Sequence, residues 1–531
     1  MKNWLPTWAC QQAAKLWRRR RRHGTRRFDG PEVEELGARV MPSIVNLPLT
    51  SDPGVQQMPL MAVNPLDPDH LVIAYMDRSL VNTGYAGIGV AVSHDGGDTW
   101  QASSIPLPAR FDQGAANPWV KFDDRGHVFV SFMSVTFFGR KPPITNGNFS
   151  NPELGTSDRQ PGMQGNNGIF VARSQDGGLT WNQPVAVTSH LFDGQHDVPF
   201  EVIPDLAIDT FRQLPNGQSN PNDGNLYVGW TRLYPSGQNP LHPEFKGGGG
   251  DMMIAVSKDG GQTWETKVQE LKGVQVTVLQ DPPENNDPAF PGIAAVDQAH
   301  LAIGPEGDIY FANFGGGDFV VQHSTDGGAS FTVPDHDTGR GLAFGTGATS
   351  FATVEGLPHN RFRTHHSRAI AADPVRPGQA YAVEQIKVLD PAGRITDPAD
   401  VFFARSTDHG QTWQSLFRIG SQPASVLNDD NDGQKAKGTG TDEVVVGQAL
   451  PRLMVDSQGN IGVIWLDSRR DPADHLLDVF ATVSTDGGLT FSPNFRLTDV
   501  SFDADQGRFI DATARENFYL GDFLGLAIST V

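Results

Sequence analysis

The chain has 531 residues, of which 38% are hydrophobic, 59 are Gly and 38 are Pro, and its formal net charge is -20. Its only cysteine, Cys10, excludes an intrachain disulfide and a cysteine-built zinc centre, and no apolar run is long enough to span a membrane. The first 27 residues hold nine Lys/Arg and no acid, leaving 32 basic against 61 acidic residues, a balance that argues against a nucleic-acid partner.

Residues 1–43 differ from everything that follows. Arg18 to Arg22 form an unbroken basic run, followed by Arg26 and Arg27, and such a run is a solvated leader or a contact for polyanions and acidic lipid. No apolar stretch of the secretory type follows it. The phrase from Arg27 through Glu32, Glu34, Glu35 and Leu36 to Arg39, Pro42 and Ser43 resembles the leader of many large planctomycete surface proteins, here without the usual Glu before the last Arg. That resemblance implies export, to the cell surface or beyond. The folded domain is expected over 44–531.

From there the chain repeats itself. Three short apolar strands recur before each of six similar turns: 58–63, 70–75 and 88–92; then 118–122, 127–131 and 168–172; then 205–208, 226–230 and 252–256. The series continues with 300–303, 309–312 and 319–322; 369–372, 380–383 and 401–404; and 452–455, 461–465 and 479–482. A fourth strand is expected after each turn. Four antiparallel strands repeated radially make a propeller.

The turns share one eight-residue form, Ser-x-Asp-x-Gly-x-Thr/Ser-Trp/Phe. The copies run from Ser93 to Trp100, Ser174 to Trp181, Ser257 to Trp264, Ser324 to Phe331, Ser406 to Trp413 and Ser484 to Phe491. Their aspartates are Asp95, Asp176, Asp259, Asp326, Asp408 and Asp486, spaced by 81, 83, 67, 82 and 78 residues. Asp in a turn accepts bonds from the backbone ahead of it, Gly supplies a conformation other residues resist, and the aromatic residue anchors the turn. The form resembles the Asp-box, or BNR repeat, of sialidases and other β-propellers. It marks a fold and carries no chemistry. The expected architecture is an all-β, six-bladed, sialidase-like propeller of four-stranded antiparallel blades. The last strand-like stretch, Asn517 to Ala527, either opens an incomplete seventh sheet in a truncated chain or closes the ring with Ile44 to Leu49.

Loop lengths place a site. The turns between first and second strands and the six repeats are short and open on one face. The long connections, about 133–166, 233–250, 335–365 and 420–448, open on the other, and long loops usually carry function. Candidate residues at that face are Arg368, Arg452 and Asp522 from first strands, with Asp77, Arg78, Arg232, Asp467 and Arg469 from the ends of second strands. An arginine cluster suits a substrate carboxylate, through bidentate charge-assisted bonds. The plainer reading of an Asp-Arg strand end is an ion pair worth about 0–1 kcal/mol.

The sialidase resemblance implies three arginines on the substrate carboxylate, an Asp acid/base, and a Tyr nucleophile paired with Glu. Arg368 and Arg452 stand for two of the arginines, Asp77 or Asp467 for the acid/base, and Tyr519 with Glu516 for the nucleophile pair, Tyr234 being the second Tyr candidate. A Tyr needs a neighbouring base to become nucleophilic. Where that family carries Arg-Ile-Pro on its first strand this chain has Gln57-Met58-Pro59. The expected function is an exported glycan-directed protein, an exo-sialidase in its catalytic form; the alternative is a non-catalytic propeller serving as a glycan- or protein-binding or surface module. No cofactor and no metal site is assigned. The acidic loops Asn428 to Gly433 and Asp335 to Gly339 have the oxygen-rich composition that calcium takes without matching an EF-hand, and His365-His366 is a weak zinc signal.

Overall fold

A computed structural model of the chain describes residues 49–51, 54–81, 85–137, 161–235, 250–267, 297–315, 318–332, 338, 340–344, 360, 362, 367–389, 395–415, 447–510, 516–518, 520–521 and 524–527. Blade one comprises β1 (Gln56–Asn64), β2 (Asp67–Asp77), β3 (Gly87–Ser93) and β4 (Gln101–Ile105). Blade two comprises β5 (Gly114–Phe122), β6 (Val128–Phe137), β7 (Gly165–Ser174) and β8 (Val185–His190). Blade three comprises β9 (Phe200–Ile208), β10 (Leu226–Leu233), β11 (Gly250–Ser257) and β12 (Glu265–Lys267). Blade four has β13 (Asp297–Ile303), β14 (Ile309–Gly315) and β15 (Asp318–Ser324), and the Thr332 amide on the His323 carbonyl, 2.8 Å, begins its outer edge.

Blade five comprises β16 (Arg368–Ala372), β17 (Ala380–Leu389), β18 (Ile395–Ser406) and β19 (Gln414–Ser415). Blade six comprises β20 (Gln448–Val455), β21 (Ile461–Asp467), β22 (Leu476–Ser484) and β23 (Phe495–Arg496), with β24 (Phe502–Asp503) added as a fifth strand on β22. Strands pair antiparallel in sequence order within every blade. The first strands of successive blades touch one another, β1 on β5, β5 on β9, β9 on β13, β13 on β16 and β16 on β20, so they line the axis. The molecule is the six-bladed, all-β propeller the strand grammar predicts.

The six turns fold alike. In each, the Ser hydroxyl donates to one Asp oxygen, the amide of the Gly two residues past the Asp donates to the Ser hydroxyl, and the Thr or Ser amide and hydroxyl donate to the two Asp oxygens. Slight burial pushes Asp176 and Asp486 up, but the bonds from Thr180 and Ser174, and from Thr490 and Ser484, outweigh it and hold both carboxyls at about 2. The other four aspartates shift down as well. Their unfolded value is about 3.9. A depressed folded value contributes stability that is present above the unfolded value and lost as pH falls through the folded one. The melting temperature should therefore fall between about pH 4 and pH 2. Asp176→Asn should melt lower at neutral pH and lose less on acidification; an unchanged acid profile would remove the turns from the account.

Sequence and structure part company at the first strands. β5, β9 and β20 begin upstream of 118, 205 and 452, because their Xaa-Pro steps are bulges and not strand starts. Met58, Asn117, Ile203 and Leu450, each followed by Pro, have φ of 51°, 53°, 52° and 54°. The ladder register shifts at each of these steps. Pro brings no amide to the ladder, so a bulge costs little pairing there, and it turns the next side chain.

The C-terminal segment closes the ring. Leu526 is buried in the core of blade six, Ala527 in the core of blade one with Leu49, and the Met58 amide donates to the Leu520 carbonyl at 3.3 Å. A separate two-stranded pairing joins β25 (Arg508–Ile510) to β26 (Glu516–Phe518). The leader, 1–43, lies outside the described residues.

Candidate functional site

Four side chains that follow bulges meet at the axis. Trp119 (β5), Asp205 (β9), His300 (β13) and Arg452 (β20) occupy the same register position in their blades, and the ladder shifts just before each of them. The Arg452 guanidinium lies 4.6 Å from the Trp119 ring centre, although blade one separates their blades, so the two meet across the axis. The His300 ring is 5.8 Å from the same indole, and His300 Nδ1 is 3.6 Å from Asp205 Oδ2. That Asp205 oxygen also accepts the Leu301 amide, which ties blade three to blade four. Lys121, two residues beyond Trp119, is a second basic group of the cluster, interacting with both Asp205 and Arg452.

Burial dominates the electrostatics. It pulls Lys121 and His300 down, with Asp205 opposing, so His300 is neutral at pH 7. It also lowers Arg452 to about 10, still protonated, again with Asp205 opposing. Two basic groups thus face one carboxylate. Arg452 is 8% exposed and its Nε has no hydrogen-bond partner; Asp205 Oδ1 has none either. Such orphaned groups need a water, an ion or a ligand to account for them.

The other candidate arginines have partners. Arg232 Nε donates to Glu201 Oε1 at 2.7 Å, and Glu201 also accepts His190 Nε2 at 2.6 Å and the Trp230 indole. Arg368 Nη2 is 3.1 Å from Glu384 Oε1, both residues being 1% exposed. Arg469 Nη2 is 2.6 Å from Asp467 Oδ2, which also accepts the Trp465 indole, and its guanidinium stacks on Phe480. Arg78 Nε donates to Gln57 Oε1 at 3.3 Å, and Asp77 accepts Gln56 and both Ser79 donors. Arg368 and Arg452 both act on His300, so they share the axial region; Asp77 and Asp467 each close a local turn in their own blade. Tyr234 interacts with Arg232 and Asp251, and burial followed by the Asp251 charge pushes its phenol up to about 12.

Tyr519, Asp522, His365, His366, the loop 428–433 and the calcium-like residues 335–337 lie outside the described residues, as does the side chain of Glu516. Trp119, Lys121, Asp205, His300 and Glu201 are not singled out by the sequence alone. A signal for two of them exists: Asp205-Leu206-Ala207-Ile208 and His300-Leu301-Ala302-Ile303 align with Arg452-Leu453-Met454-Val455. A groove of about 230 Å³ lies elsewhere, on the repeat-bearing face between blades two and three, lined by Phe129, Arg173 and Gly261 among others. None of the candidate residues borders it.

No family model matches the chain, and no curated protein matches it. Among solved structures it is similar to a protein of unknown function from Dyadobacter fermentans, at 14% identity and a TM-score of 0.41 over 78% of this chain and 90% of that one. It is also similar to a Hadza microbial sialidase, at 17% identity and a TM-score of 0.41, covering 77% of this chain. A Trypanosoma rangeli sialidase in complex with 2,3-difluorosialic acid gives 12% identity and a TM-score of 0.40, covering 82% of this chain. The chain spans 63% and 54% of those two sialidases. At such identities no residue role passes from them to this chain.

Proposed function

We propose that the chain is an exported, glycan-directed propeller that binds an acidic sugar at the axis. The carrying observation is Arg452: its Nε has no hydrogen-bond partner, no carboxylate among the described residues lies within ion-pair distance of it, and its guanidinium sits over Trp119, 4.6 Å from the ring centre, with Lys121 close by. A guanidinium beside an indole suits a sugar that presents a carboxylate and an apolar ring face. The Arg-rich leader phrase supports export.

Two observations favour binding over hydrolysis. Arg232, Arg368 and Arg469 are already neutralised by carboxylates of their own blades. Tyr234 is held protonated, so it is a hydrogen-bond donor before it is a nucleophile. The exo-sialidase reading keeps one specific support, the juxtaposition of Tyr234 with Asp251 as a base and Arg232 as a cation.

One experiment separates them. The purified chain is screened against sialylated and asialo glycans, and against a fluorogenic sialoside for turnover. Acid-dependent binding without turnover is expected. Losing a buried charge-assisted contact costs about 2–5 kcal/mol, so Arg452→Gln should weaken the acidic ligand by that amount and leave neutral glycans unaffected. Turnover that Tyr234→Phe abolishes would replace the binding reading with the hydrolase. Absence of binding, or an Arg452→Gln protein that binds as well as wild type, would remove the axial site.

A further inference from the structure

The fifth eight-residue repeat departs from the other five at one position. Gly96, Gly177, Gly260, Gly327 and Gly487 follow the repeat aspartate elsewhere, each with φ between 68° and 78°. Here the residue is His409, held at φ 61°. An L side chain rarely adopts that conformation, and when it does something else in the structure holds it there.

What surrounds His409 is a set of metal-ligand atoms. Its ring lies 4.9 Å from that of His323, at the end of β15 in blade four. Between them is the carboxylate of Asp308, from the short turn joining β13 to β14. His323 Nε2 is 3.0 Å from Asp308 Oδ2, and His409 Nδ1 is 3.6 Å from the same oxygen. One atom from each of the three residues falls within 4.8 Å of the others. Zinc bonds of about 2.0–2.2 Å at tetrahedral angles set ligand atoms about 3.4 Å apart. The two measured distances bracket that value.

The polar accounting points the same way. Asp308 is 1% exposed, yet its Oδ1 has no hydrogen-bond partner, and neither has His409 Nδ1. The other nitrogen of His409 faces Glu306 Oε2 at 3.6 Å, the outer carboxylate that commonly orients a metal-bound imidazole. The His409 side chain is 34% exposed, so an ion has an entry path from solvent.

We propose that Asp308, His323 and His409 form a binding site for a divalent transition metal of the zinc type, on the repeat-bearing face, which cross-links blade four to blade five. Two imidazoles and one carboxylate select such an ion over calcium or magnesium, which prefer all-oxygen cages. The site shares no residue with the axial cluster and does not depend on the glycan reading.

The test uses the full chain stripped with chelator, then titrated with Co²⁺ and Zn²⁺ separately, with Ca²⁺ as the control ion. One equivalent of Co²⁺ should give the visible absorption of a low-symmetry four-coordinate site, Zn²⁺ should displace it, and Zn²⁺ should raise the melting temperature while Ca²⁺ does not. His409→Gly restores the residue the other five repeats carry, so it should fold at least as well without metal. In that variant, and in His323→Gln, affinity should fall by more than the roughly 10–100-fold that loss of an outer partner costs. A wild-type chain without a stoichiometric Co²⁺ site, or a His409→Gly chain with wild-type affinity, overturns the proposal.

Discussion

Arg368→Ala is expected to destabilise the propeller by about 3–5 kcal/mol, because it leaves a carboxylate buried without its partner. Arg368 and Glu384 face each other across β16 and β17, each 1% exposed, and the guanidinium also lies 5.8 Å from the Phe319 ring of blade four. Breaking such a pair is costly, whereas replacing both members by apolar groups of similar volume is often neutral. The double variant Arg368→Met/Glu384→Leu should therefore recover most of the loss. Urea unfolding of the two singles and the double measures the coupling directly. If Arg368→Ala unfolds with wild-type stability but no longer binds an acidic glycan, the arginine belongs to a ligand site and its pairing with Glu384 is incidental.

The two buried axial arginines illustrate how far sequence reasoning reaches. Read along the chain both look like the start of a first strand, although only Arg368 begins one, and both can be assigned to the axis from strand order alone. What separates them is the partner: Glu384 sits opposite Arg368 in the ladder, whereas Arg452 follows a bulge that turns it toward Trp119. A bulge depends on backbone angles, and Leu450-Pro451 read along the chain looks like the start of a strand. The same holds for Asn117-Pro118 and Ile203-Pro204, which is why Trp119 and Asp205 escape a linear reading.

The six turns were legible for the opposite reason. The Ser, Asp, Gly and Thr bonds that shape each turn join residues two to four apart, so the local sequence contains that network. Contacts between blades are invisible at that range. His70, whose ring reaches the Gly177 carbonyl of the next blade at 2.8 Å, gives no sign of it in sequence. The metal-ligand set is a mixed case. His409 can be seen to replace a repeated glycine, but His323 and Asp308 join it only once blades four and five are packed.

Closure of the ring leads to the remaining expectation, that Gly525→Ala lowers the stability of the whole molecule. A β-carbon at Gly525 would stand 2.5 Å from the Pro59 carbonyl oxygen, 3.0 Å from the Leu60 Cα and 3.1 Å from the Met61 amide. All three are backbone atoms of β1, so no side chain can swing aside to relieve the clash. The segment around Gly525 must instead lift away from β1. That would expose Leu526 from the blade-six core and Ala527 from the blade-one core. Overpacking of this kind costs about 1–3 kcal/mol, and the upper end applies where backbone meets backbone. Because the segment joins the first blade to the last, the loss should appear in one cooperative transition and not in a single frayed blade. Calorimetry of Gly525→Ala checks this: a lower melting temperature with one peak is expected. A second, earlier peak would mean that blade one or blade six unfolds on its own and that the C-terminal segment only decorates a ring held shut by other contacts.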